Sequence, residues 1–172
     1  DADRATLESI ALWHNSVARG GGPFDVAGAL SLSESHTFLG YVLGLSLFTG
    51  TSVVLSEVER MQLLAGLVQN DRTPGYGQLE AVRRLSRSLG RDLGDPGLEA
   101  RLVETVLAAS SSPALGRHAV GYLADAVERG SVDVSHLLTS EIRDKLLANY
   151  RSDPTRHLAT HPKFARQLAL RK

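Results

Sequence analysis

No charged residue lies between Glu34 and Glu57, in a chain of which 22% is charged. Within that gap Phe38 to Leu55, FLGYVLGLSLFTGTSVVL, is almost wholly apolar. So long an uncharged stretch marks where a core sits, because side chains that need no water or counter-charge collect away from solvent. Three structures could hold it. A membrane span needs about 18 apolar residues or more, and Gly40 and Gly44 have the spacing that lets membrane helices approach closely. Against a span, Ser46, Thr49, Gly50, Thr51 and Ser52 break the run, and the nearest cations, Arg19 and Arg60, are too distant to anchor it. A short strand at residues 53–55, after Gly50-Thr51-Ser52, is a second reading, but no other segment offers a convincing partner strand. The third reading is preferred, a buried central helix from about Leu32 to Phe48. Ser31 and Glu34 fit a capping box at its start, and Phe38, Leu39, Tyr41, Val42, Leu43, Leu45, Leu47 and Phe48 make it apolar on every side, as a buried helix is. Gly40 and Gly44 would admit crossing neighbours, at about 1 kcal/mol each in helix propensity relative to Ala.

At 172 residues the chain is the size of one domain and can bury a sizeable core. It has no cysteine, which excludes disulfides, thiolate zinc sites and cysteine nucleophiles. Its formal net charge is zero, so no strong overall field draws in nucleic acid or membrane. The charge is nevertheless uneven. Residues 1–70 carry three basic and seven acidic side chains, residues 71–140 eight and nine, and residues 141–172 eight and three. The chain is therefore a slightly acidic body with a basic end. Arginine outnumbers lysine sixteen to three, and its planar, weakly hydrated fork suits interfaces. The start, DADRATLESI, is acidic and polar, unlike a signal peptide, so a cytoplasmic chain is the default expectation. It also lacks an initiator Met, as a processed chain or an excised domain does.

Taken in order, residues 3–19 read as a helix with Trp13 anchoring its apolar face, stopped by Gly20-Gly21-Gly22-Pro23. A short apolar connector, residues 24–30, leads to the central helix. Ser56 and Glu59 open a second capping-box helix that runs to about Asn70, with Val58, Met61, Leu64, Leu67 and Val68 inward. NDRTPGYG, residues 70–77, is the clearest loop; if the domain has two lobes, 1–72 and 78–172, the boundary is here. Residues 78–90 form an amphipathic helix with Leu79, Val82, Leu85, Ser86 and Leu89 on one face. Arg83, Arg84, Arg87 and Arg91 crowd the other side and its edges. Asp95-Pro96, Ser112-Pro113 and Asp153-Pro154 then each place a capping side chain before a proline at the first helical position. Residues 131–150 read as one helix, or as two re-capped at Thr139-Ser140. The last segment begins at Pro154, is interrupted at Pro162, and resumes with Phe164 and Leu168. Short helices joined by capped turns are the grammar of bundles and helical arrays.

Chemical motifs are sparse. His157 and His161 are four apart, as a zinc pair on one helix face would be, but Leu158 stands where the zincin motif has Glu and no third ligand is evident. His36, in SESHTF, has serine neighbours but no Gly-x-Ser-x-Gly elbow. His118 and His136 read as ordinary helix residues. The glycine-rich stretches at residues 20–22 and 90–97 lack phosphate-loop spacing and read as turns. No cofactor or metal site is expected. The basic end, with Arg143, Lys145, Arg151, Arg156, Lys163, Arg166, Arg171 and Lys172, is interleaved only with Tyr150 and Phe164. A solvated or protein-facing surface is preferred there over nucleic-acid or acidic-lipid contact.

The expected fold is all-α: a compact bundle or short helical-repeat array of about seven or eight helices around a buried central helix. The expected function leans away from catalysis, toward a protein-protein interaction domain within a larger regulatory, scaffold or effector protein. Arg83, Arg84, Arg87 and Arg91 are its candidate contacts, with Arg151, Arg156, Lys163 and Arg166 as a second surface. The alternatives are a small helical enzyme using His36 or His118 as base, and a nucleic-acid or acidic-surface binder working through the basic end.

Overall fold

The computed structural model describes residues 56–71, 73, 75–153 and 156–169. The central helix at Leu32 to Phe48, the span and strand readings, Trp13 and His36 lie outside the described residues. Among those residues the chain is all-helical. It forms α1 (Glu57–Gln69), α2 (Gly75–Ser88), α3 (Pro96–Ser111), α4 (Gly116–Glu128), α5 (Ser140–Arg151) and α6 (Pro162–Ala169). Two 3-10 turns, Ser135–Leu137 and Leu158–Thr160, complete it, with no strand. No described helix is long and apolar enough to cross a membrane. The chain divides into two compact units, Asp1–Gln78 and Leu79–Lys172.

In the first unit, α1 opens on the expected capping box. The Ser56 hydroxyl accepts the Glu59 N–H at 3.2 Å, and the Glu59 carboxylate accepts the Ser56 N–H at 2.7 Å, so two otherwise unpaired groups satisfy each other. Met61 and every residue from Leu63 to Val68 are buried. This is burial around the whole helix rather than along the single stripe that the apolar spacing suggests. At the other end the Gln78 carboxamide donates to the Val68 and Asn70 carbonyls, at 3.0 and 3.2 Å. Helix α2 begins at Gly75, three residues ahead of the expected start. The weak helix propensity of Gly75 and Gly77 pointed to loop, but the Gln78 clamp on the end of α1 outweighs it.

In the second unit α4 is the hub, in contact with α3, α5 and α6. Its small residues make that position workable. Gly116 lies against the Asn149 carboxamide of α5, which donates to the Ser110 and Ser112 carbonyls at 3.0 and 3.2 Å. Gly121 lies against the Arg156 guanidinium, only 2.6 Å from where a Cβ would stand. The helix ends in a Schellman motif: Gly130 takes φ 75°, its N–H reaches the Val127 carbonyl, and the Ser131 N–H reaches that of Ala126, each at 3.0 Å.

Two of the expected cap–proline starts behave differently from the third. Asp95 caps α3 by accepting the Leu98 N–H at 3.0 Å, with Pro96 at the first turn. The Ser112 hydroxyl does accept a backbone amide, that of Leu115 at 3.0 Å, but α4 starts only at Gly116. Residues 113–115 form a separate turn, pinned by the Asn149 clamp on the Ser112 carbonyl. The third start falls partly outside the described residues: Asp153 lies beyond the end of α5, residues 156 and 157 lie outside any helix, and the Asp153 carboxylate pairs with Arg156 Nε at 3.3 Å. Pro162 opens α6 instead of interrupting a helix, with the His161 carbonyl accepting the Ala165 N–H at 2.9 Å. A proline suits that place because its absent N–H would have had no partner. Of the two readings for residues 131–150, the divided one is observed: Thr139 re-caps the chain by accepting the Ile142 N–H at 3.2 Å.

Candidate functional site

The second unit carries a cleft of about 420 Å³, built from the end of α2, the loop into α3, the first two turns of α3 and residues 131–137. Local chemistry fixes each wall. The loop turns on Gly90 at φ 80°, whose backbone sits so close to Ser131 that a Cβ would stand 2.9 Å from the Ser131 carbonyl carbon. Asp92 accepts the Gly94 N–H at 2.9 Å, and Glu99 reaches back from α3 to accept the Leu93 N–H at 2.8 Å. Opposite, Arg129 Nη2 donates to the Ser86 carbonyl at 3.0 Å, tying the end of α4 to α2. The Gln167 side chain holds the Val134 N–H at 3.1 Å. Asp133 accepts the Ser135 N–H at 2.8 Å. Hydrogen bonds from the Ser135 hydroxyl and backbone hold its carboxyl below the usual range.

On α3 the spacing Pro96, Glu99, Ala100, Val103 presents one face of the helix to the cleft. The floor is apolar: Leu89 and Leu102 are buried, and Leu93, Val103 and Leu137 are half-buried. The rim is charged: Arg91, Glu104, Asp133 and His136 are exposed, and Glu99 is half-buried. Of the eight basic residues put forward as candidate contacts, only Arg91 lines this cleft.

The other seven are dispersed. Arg83 Nε and Nη2 grip the Glu80 carboxylate at 2.7 and 2.6 Å, and Arg84 Nε adds a third bond at 2.7 Å. These two cations push the Glu80 carboxyl down to about 2, and in return Glu80 raises the Arg83 pKa. Arg87 is exposed on the same helix. Arg151 and Arg166 are exposed as well. Arg156 is engaged with Asp153 and with the Arg117 carbonyl at 2.8 Å. Lys163 Nζ donates to the Glu128 carbonyl at 2.8 Å, and Lys145 pairs with Glu141 at 2.7 Å, which lowers the Glu141 pKa. Arg156 and Lys163 thus tie the basic end to α4.

Among the histidines, His118 is exposed and His136 stands at the rim of the cleft. His161 has the most elaborate surroundings. Its Nε2–H faces Asp125 Oδ1 at 3.0 Å, and its Nδ1 lies 2.6 Å from the Tyr150 hydroxyl and 3.1 Å from that of Thr160. An acid–imidazole–hydroxyl chain can activate a nucleophile. Here, however, Tyr150 is only 1% exposed and its hydroxyl is also held by the His157 carbonyl at 3.0 Å. Edge-on contact with His161 and a tilted contact with Phe164, centroids 5.8 and 5.7 Å away, complete the enclosure. The chain fastens the start of α6 to α4 and α5, with the Tyr150 hydroxyl closed off from solvent. Among the described residues no group of three or more His, Asp or Glu is placed to hold a metal ion.

Among the described residues the second unit is all-helical and carries an apolar, charge-rimmed groove. No protein-family model, curated protein or solved structure matches the chain.

Proposed function

We propose that this chain is a non-catalytic protein-protein interaction domain, a module of a larger regulatory, scaffold or effector protein, and that the groove beside α3 is its contact surface. The observation that carries this reading is the division of labour in the groove. Its floor is made of leucine and valine, and its ionisable groups stand at the rim, the arrangement by which helical domains capture short segments of other chains. The displaced carboxylates support it too: Glu80, Asp133 and Glu141 owe their shifts to neighbouring cations or to a local turn, not to an apolar reaction pocket.

The test is a selection of binders from a random peptide library with the full chain. Affinities are then compared for wild type, Ala100→Arg and the double variant Arg84→Glu/Arg87→Glu. Ala100 is exposed on the groove side of α3, so arginine there fills the groove without touching the core. The groove reading expects Ala100→Arg to abolish binding and the double variant to retain it. Binding that survives Ala100→Arg but is lost in the double variant would return the contact to the arginine face of α2.

A further inference from the structure

We infer that the segment taken by this groove is basic as well as apolar: a partner peptide that sets aliphatic or aromatic side chains on Leu93, Val103 and Leu137 and brings Lys or Arg to the rim. The inference rests on the groove being the contact surface. Its warrant is charge complementarity. Three carboxylates, Glu99, Glu104 and Asp133, stand around the apolar floor against one guanidinium, Arg91, with His136 as the remaining ionisable group. Asp133 is held ionised by its turn with Ser135. Glu99 spends one oxygen on the Leu93 amide, which keeps the carboxylate fixed at the edge of the cleft. Glu104 is exposed and lies one helical turn beyond Ala100 on α3.

An apolar segment flanked by acids would bring like charges together at these positions, whereas one flanked by Lys or Arg finds fixed counter-charges at the edge of a low-dielectric floor. Electrostatic complementarity of this kind selects partners and speeds encounter more than it deepens affinity. The effect of any single rim residue should therefore be modest and dependent on salt.

The experiment scores the selected peptides by composition and then by affinity for Glu104→Gln and for Glu104→Gln/Asp133→Asn. Enriched peptides should carry net positive charge beside apolar residues. Glu104→Gln should weaken them about two- to five-fold, the size expected of an exposed ion pair, and raising salt should flatten the difference. Neutral or acidic peptides that still need an open groove, losing affinity in Ala100→Arg, would overturn the basic-partner inference and leave the interaction surface standing. Peptides indifferent to Ala100→Arg, or no enrichment at all, would overturn both. Asp133→Asn disturbs a turn, so circular dichroism accompanies the double variant, and Glu104→Gln alone keeps the charge inference open to refutation.

Discussion

Gly90 and Gly94 form an internal control for how the groove is built. Both take left-handed backbone, φ 80° and 70°. A Cβ on Gly94 meets nothing within 4 Å, whereas on Gly90 it enters the Ser131 backbone, 2.9 Å from the carbonyl carbon and 3.0 Å from Cα. Alanine in left-handed backbone costs about 1–2 kcal/mol, less about 0.4–1 kcal/mol returned through the stiffer unfolded chain. Gly94→Ala should therefore destabilise by no more than about 1.6 kcal/mol. Gly90→Ala bears the same term and must also displace Ser131, whose N–H closes the Schellman motif of α4. Overpacking of that kind adds about 1–3 kcal/mol. Urea unfolding followed by far-UV circular dichroism measures the difference directly. Amide shifts at Ser131, Asp133 and Leu137 should move in Gly90→Ala and stay in place in Gly94→Ala. Equal unfolding midpoints for the two variants would refute the close approach of the α2–α3 loop to residue 131, and with it this account of the groove wall.

Further outcomes follow from the second unit. Glu128 accepts the Lys163 and Phe164 amides, at 2.6 and 3.0 Å, and so caps α6 from another helix. Glu128→Ala should cost about 1–2 kcal/mol, the worth of a cap with its dipole contribution, and should speed hydrogen exchange in α6, with Glu128→Gln costing less. Unchanged exchange in the alanine variant would remove this cap. Asn149→Ala should cost about 1–3 kcal/mol by leaving the Ser110 and Ser112 carbonyls without its amide, and a variant as stable as wild type in urea would contradict the clamp. Glu80 supplies the pH dependence. A carboxyl lowered from its ordinary 4.5 to about 2 contributes stability that is present above 4.5 and is lost as pH falls toward 2. By NMR its midpoint should lie near 2 and should rise toward 4.5 in Arg83→Ala/Arg84→Ala; a wild-type midpoint near 4.5 would show the bridge to be absent in solution.

What could be read in the sequence is what is local. The caps at Ser56, Asp95 and Thr139 follow from side chains that bond amides two or three residues ahead, so spacing alone finds them. Pro162 misled because proline ends one helix and begins another with equal ease. Only the tertiary cap from Glu128, thirty-five residues away, makes it a beginning. The central place of α4 could not be read from hydropathy, since Gly116, Ala119, Gly121 and Ala124 earn that place by being small rather than apolar. Arginine clustering on α2 signalled contact, yet an acid within one turn, Glu80, already engages Arg83 and Arg84. The groove joins the stretch 88–104 to residues 131–137, well separated along the chain, and nothing in the pattern of either announces it.

The most direct measurement is hydrogen exchange of the full chain with and without a library-selected peptide, read by mass spectrometry. Protection concentrated in residues 89–104 and 131–137, and absent in Ala100→Arg, is the expected result. Protection confined to residues 140–169, or to the arginine face of α2 with the groove unchanged, would contradict the central claim.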